Sequence, residues 1–168
     1  MTGERAADAV TRTSPIGVTD PAGAATSGVN VGVLLFVSYR AMEKRVFEAL
    51  AAAGYDDITP AQARVFQRIA PGGSRLTDLA EQAQITKQSA GFLVDQLERA
   101  GYVERVPDPT DARARLVRIA DRGARTIPLA AAVVADVEAE WGRHLGQQRM
   151  DQLRETLTLL RQITDPYA

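Results

Sequence analysis

Lys87, Gln88 and Ser89 follow Thr86 in one unbroken run, and two arginines, Arg113 and Arg115, stand further along the chain. A lysine, an amide and two hydroxyls side by side form a hydrogen-bonding set. Gln can bond adenine in two places, Lys reaches guanine or phosphate, and Ser suits either. An arginine on a projecting loop can enter a minor groove or grip phosphates. Asp111, two residues before Arg113, is placed to orient that guanidinium by a charge-assisted hydrogen bond. Taken singly, each of these side chains is equally an ordinary solvated residue. The case for base reading rests on the elements that carry them.

Those elements are two short amphipathic helices and a hairpin. Leu76, Leu79, Ala80 and Ala83 recur at helical spacing, with Ser74 as the candidate N-cap. Gln84 and Ile85 form a turn, and Thr86 caps the next helix. Ala90, Leu93, Val94 and Leu97 share one face of it, and Gly101 ends it. The opposite face carries Gln88, Phe92, Asp95 and Arg99. The N-terminal residues of the second helix of a helix-turn-helix read base edges. That places Thr86, Lys87, Gln88, Ser89 and Phe92 at the candidate interface, with Ser74 at the start of the unit. Beyond Gly101, residues 102–106 and 115–119 favour strands, and the tip PDPTDARA has turn chemistry.

From Thr86 to Gly123 the sequence TKQSAGFLVDQLERAGYVERVPDPTDARARLVRIADRG resembles the MarR family of bacterial winged-helix transcriptional regulators. The D-x-R at Asp111 and Arg113, followed by an apolar strand and a D-R-G opening the next helix, is its most specific mark. The resemblance runs from near Val31 to Ile163. It implies a second helix in the major groove (Thr86, Lys87, Gln88, Ser89) and a wing arginine (Arg113) in the minor groove. Two positions depart from the family pattern. Phe92 stands where many members carry a basic or polar residue; it either touches a thymine methyl or packs against its own domain. Gln84 stands where glycine is common, so it takes a strained positive φ or the turn differs.

Composition bounds the alternatives. The 168 residues, 45% apolar with a net charge of −1, suit one domain of ordinary size. Charge is uneven: from Arg99 to Arg125 seven arginines face four carboxylates, a local basic footprint. The absence of cysteine excludes a thiolate metal site or a cysteine-based peroxide sensor, and the single histidine, His144, makes a zinc site improbable. No metal and no cofactor are expected. There is no apolar run long enough for a membrane helix and no secretory pattern at the start, so a cytoplasmic protein without membrane partners is expected.

The remaining chain reads as supporting helices. Residues 1–28, rich in Ala, Gly, Thr, Ser and Pro, read as a flexible arm. Val31 to Ala53 reads as a long helix with an apolar stripe through Leu34, Val37, Val46 and Leu50. Thr59-Pro60 opens a helix running to about Ala70. Asp121 to about Gly142 reads as another long helix, kinked near Pro128. After Gly146, a last helix repeats Met150, Leu153, Leu157 and Leu160 at threes and fours. Such stripes suit a partner helix or an intramolecular helical hairpin.

The expected fold is mainly α with a small two- or three-stranded β-wing. Residues 55–123 form the winged helix-turn-helix, and residues 29–54 and 124–168 the dimerisation helices. The expected function is a homodimeric regulator, a repressor by family habit, on palindromic double-stranded DNA. The resemblance also implies a small aromatic or phenolic effector between dimer helices and DNA-binding lobe, with Tyr39, Arg40, Arg64 and Trp141 as pocket candidates; each serves equally as a structural residue. Two rival classes stand against this reading. An enzyme would need a phosphate loop, a metal-binding helix motif, a nucleophile elbow or a clustered His/Asp/Ser set, and the sequence has none. A winged helix serving only protein contacts would have no use for Lys87, Gln88, Arg113 and Arg115 in these places.

Overall fold

The computed structural model of the chain describes residues 28–165 and 167; all but the last residue of the expected N-terminal arm lies outside them. In order the elements are α1 (Val31–Ala52), α2 (Pro60–Phe66), β1 (Ser74–Arg75), α3 (Leu76–Gln82), α4 (Lys87–Arg99), β2 (Val103–Asp108), β3 (Asp111–Ile119), α5 (Asp121–Leu145) and α6 (Gln147–Thr164). This is a winged helix with long flanking helices, as the sequence predicts. The strands form one antiparallel sheet in the order β1-β3-β2. None of the helices described is long and apolar enough to cross a membrane.

Local chemistry sets most boundaries. Thr59 closes a capping box at α2: its hydroxyl accepts the Gln62 N–H at 3.3 Å, and Gln62 Oε1 accepts the Thr59 N–H at 2.7 Å. Pro60 fills the first helical position, where no N–H is needed. The Gln62 amide then donates to Gln96 Oε1 at 2.9 Å and ties α2 to α4. Thr86 caps α4 and Gly101 follows it at φ +79°. Gln84 sits between α3 and α4 at φ +54°, so the turn keeps the backbone that glycine usually supplies and the strain falls on a glutamine.

Three expectations fail here, over the end of α2, the role of Ser74 and the length of the wing strands. Helix α2 ends at Phe66 rather than Ala70, because the chain tightens through Arg68 N–H to Val65 O and Ile69 N–H to Phe66 O. Ser74 does not cap α3. It is buried in β1 opposite Val117, and its hydroxyl accepts the Ala70 N–H at 3.0 Å. Arg75 takes the N-cap position without a side-chain bond. The wing strands extend further than predicted, to Asp108 and from Asp111, leaving a two-residue tip at Pro109 and Thr110. Helix α5 is continuous through Pro128 to Leu145.

One apolar cluster holds the winged helix together. It runs from Leu50 at the end of α1 through Val65, Phe66, Leu79, Val94 and Leu97 to Tyr102, Val103 and Val117. The first half of α1 and the last turns of α6 stay outside it. Leu34, Phe36 and Val37, and Leu157, Leu159, Leu160 and Ile163, are exposed in the single chain.

Candidate nucleic-acid interface

Helix α4 has a buried face and an exposed face. Ala90, Val94 and Leu97 are buried against the domain, which turns Lys87, Gln88, Ser89 and Phe92 to the outside. The Thr86 hydroxyl accepts the Ser89 N–H at 3.1 Å and stands 2.8 Å from the Ser89 hydroxyl, fixing the first turn. Phe92 is 60% exposed. It therefore does not pack against its own domain, and one of the two readings of this residue drops out. Ser74, buried and already bonded, is not at this surface.

The wing is braced from its base. Asp108 accepts from the Thr110 hydroxyl (2.7 Å), the Thr110 N–H (2.8 Å) and Arg75 Nε (2.9 Å) and Nη2 (2.7 Å). The Thr110 bonds first, and Arg75 after them, hold the Asp108 carboxyl at a pKa of about 2. Arg105 pairs with Asp95 at 2.5 Å and with Glu98, joining β2 to α4. Arg118 pairs with Glu104 across the strands at 2.7 Å. Asp111 Oδ1 accepts the backbone N–H of Arg113 at 3.0 Å, so it shapes the tip and does not grip the Arg113 guanidinium, contrary to expectation.

The ion pairs sort the cations into two groups. Arg75, Arg105, Arg118 and Arg122 are tied to carboxylates. Lys87, Arg113 and Arg115 are exposed and make no ion pair among the described residues. The tied group braces the fold; the other keeps its donors free of carboxylates among the described residues. Sequence reasoning missed the brace of Arg75, Asp108 and Thr110. The signal was there: an Asp two residues before an available N–H in a Pro-rich turn is an Asx-turn pattern.

Residues 56–114 match the family model described as the MarR family. Over 93 residues, 55% of this chain and 52% of the relative, the sequence is 31% identical to the transcriptional activatory protein BadR of Rhodopseudomonas palustris. The chain spans about half the length of the curated relatives it matches. Among solved structures it is similar to the transcriptional regulator Tm0710 from Thermotoga maritima, at 26% identity and a TM-score of 0.57, over 79% of this chain and 92% of that one. It shares its fold with the apo form of wild-type MarR from E. coli, at 24% identity and a TM-score of 0.63, over 80% of this chain and 98% of that one.

The D-R-G at residues 121–123 has a physical account. Arg122 reaches Asp57 through both terminal nitrogens (2.8 and 2.9 Å) and donates to the Ala100 carbonyl at 2.6 Å. Its guanidinium lies 4.6 Å from the centre of the Tyr102 ring. The Tyr102 hydroxyl donates to Asp57 at 2.5 Å. That bond and Arg122 hold the Asp57 carboxyl below its usual range, while burial and Asp57 push the Tyr102 hydroxyl up. Gly123 lies against this group. A Cβ there would collide with the Tyr102 carbonyl oxygen and lie 2.8 Å from a Phe66 ring carbon. The start of α5 is thus locked to the α1–α2 link and to the end of α4.

A cavity of about 390 Å³ opens where α1, α2 and α5 meet. Tyr39 lines it, with Met42, Glu43, Phe47, Phe66 and Val134 among others. The other three expected pocket residues do not. Arg40 is exposed and pairs with Glu43 from outside the cavity. Arg64 Nε donates to the Pro60 carbonyl of its own helix at 3.3 Å. Trp141 lies two turns beyond Val134, about 10 Å further along α5. The Tyr39 hydroxyl donates to Glu43 Oε1 at 3.2 Å; burial, then Glu43, raises its pKa. Glu43 was missed because only the tertiary arrangement turns it into a cavity.

Proposed function

We propose that the protein is a homodimeric, sequence-specific DNA-binding transcriptional regulator that works in the cytoplasm and is controlled by a small molecule. The observation that carries this reading is the pairing pattern. Lys87, Gln88, Arg113 and Arg115 stand exposed on a braced winged helix and bond no carboxylate among the described residues, while Arg105, Arg118 and Arg122 are paired. Thr86, Lys87, Gln88, Ser89 and Phe92 meet base edges and phosphates of the major groove, and Arg113 and Arg115 meet the minor groove and backbone. Residues 55–123 form the reading unit, and residues 29–54 and 124–168 the dimerisation region. What supports the dimer is the apolar surface left open on α1 and α6. Two-fold symmetry then sets the recognition helices about 34–36 Å apart on an imperfect palindrome.

The protein represses where its half-sites overlap the polymerase site. BadR carries the name of an activatory protein, so the sign of control follows the position of the operator. The cavity at the α1–α2–α5 junction takes the effector. A ligand that fits only one spacing of the two reading units shifts the population away from the operator-bound form.

The test is binding of the purified protein to the DNA upstream of its own gene across a salt series, with footprinting. Two related protected half-sites and a steep fall of affinity with salt are expected. Equal affinity for this fragment, for genome-selected fragments and for random DNA would leave the winged helix as a protein-contact module.

A further inference from the structure

We propose that the cavity between α1, α2 and α5 takes a small lipophilic cation, a ligand with one quaternary or protonated nitrogen on an apolar body. This rests on the reading of the cavity as an effector site and adds the charge of the ligand. Three observations carry it. First, the lining is apolar with three aromatic rings, those of Tyr39, Phe47 and Phe66, and the negative faces of such rings attract a cation. Second, the one carboxylate on the lining is Glu43, whose side chain is only 10% exposed. Third, no lysine, arginine or histidine lines the cavity. The nearest cations stand off the lining and are engaged: Arg40 pairs with Glu43, and Arg64, whose charge reaches the Tyr39 hydroxyl, donates to the Pro60 carbonyl of its own helix.

Charge decides between ligand classes here. An anion would lose its water beside the Glu43 carboxylate with no cation in the wall to replace it, which is the costly arrangement. A cation would meet Glu43 and the rings together. A neutral ligand of the same shape would gain only the apolar contact. The Thr126 hydroxyl is already donated to the Gly123 carbonyl at 2.7 Å, so the neutral Gln67 amide is what the lining offers an anion in place of a cation.

The experiment is calorimetric titration of the full chain, without DNA, with three probes: benzyltrimethylammonium, its uncharged isostere neopentylbenzene, and salicylate. The cation should bind roughly tenfold more tightly than the isostere, the size of a partly desolvated cation–π and carboxylate contact. Salicylate should bind most weakly. Glu43→Gln should bring cation and isostere to the same affinity. Arg40→Met should move the other way and raise cation affinity about threefold, because Glu43 loses its outside partner; it keeps the test sharp if the Glu43 variant folds poorly. Preference for salicylate, equal binding of cation and isostere, or no binding of any probe because a second copy fills the cavity would each overturn the proposal. DNA binding is measured separately on the same preparations. Operator binding without cation binding defeats the ligand class alone, and cation binding without operator binding defeats the regulator reading alone.

Discussion

Arg113 on the wing and Arg122 at the start of α5 are nine positions apart in the chain. Arg122 is surrounded: it meets Asp57, the Ala100 carbonyl and the Tyr102 ring. Arg113 is exposed; its backbone N–H is held by Asp111, and its guanidinium makes no ion pair among the described residues. The same contrast separates Arg75 and Arg105, tied to Asp108 and Asp95, from Arg115 and Lys87. A charged side chain whose donors are already bonded contributes to the position of the backbone. One whose donors are free contributes only when something binds. The net charge of −1 hides this division, because it counts both kinds alike.

The division is open to attack, most strongly at the crowded side. Gly123→Val should destabilise the protein by about 3 kcal/mol, because the added carbons meet the Tyr102 carbonyl and the Phe66 ring with no room to move. Denaturant unfolding at fixed protein concentration reads it; a loss within about 0.5 kcal/mol would mean that α5 is not locked there. On the open side, Arg113→Glu should weaken operator binding roughly ten- to hundredfold and lower the salt slope by about 1, with the unfolding midpoint unchanged. An unchanged operator affinity would remove Arg113 from the interface.

Arg122→Ala should give the reverse profile. Its pair with Asp57 is part-exposed, so a loss of about 1–2 kcal/mol in stability is expected rather than the larger cost of a buried pair. The salt slope of DNA binding should not move. Fluorescence anisotropy and denaturation on one preparation test both halves; a changed slope would place Arg122 on DNA.

The smallest effect is on pH. The Asp108 carboxyl, near pKa 2 when folded, lies below the ordinary value of 3.8. A lowered folded pKa means stability that is present above about pH 4 and lost as pH falls towards 2. Asp108→Asn should flatten the acid limb of the stability curve in that window and leave the neutral region parallel to wild type. An acid limb unchanged by the substitution would show that the wing base does not depend on this carboxylate.

How far the chain could be read in advance varies by element, for one reason. Helices α3 and α4, the Thr59 and Thr86 caps and the Gly101 end were legible, because they depend on residues within one or two turns of each other. The exposed run of Lys87, Gln88 and Ser89 followed from the same periodicity. Ser74 was misplaced because its role comes from Val117, Ala70 and the third strand, and nothing local announces a two-residue strand. The function of Asp111 was half legible: the tip was foreseen, but which donor it would accept was not.

By itself the sequence determined helix α4, the wing and the order of the flanking helices, since periodicity, caps and turn residues act over a few positions. Only the tertiary structure decided which arginines are spent on bracing, that Phe92 faces outward, and that Glu43 rather than Arg64 or Trp141 lines the cavity. Those outcomes depend on which side chains meet across helices and strands far apart in the chain. A charge acquires its role from the partner it meets, and the partner is chosen by packing.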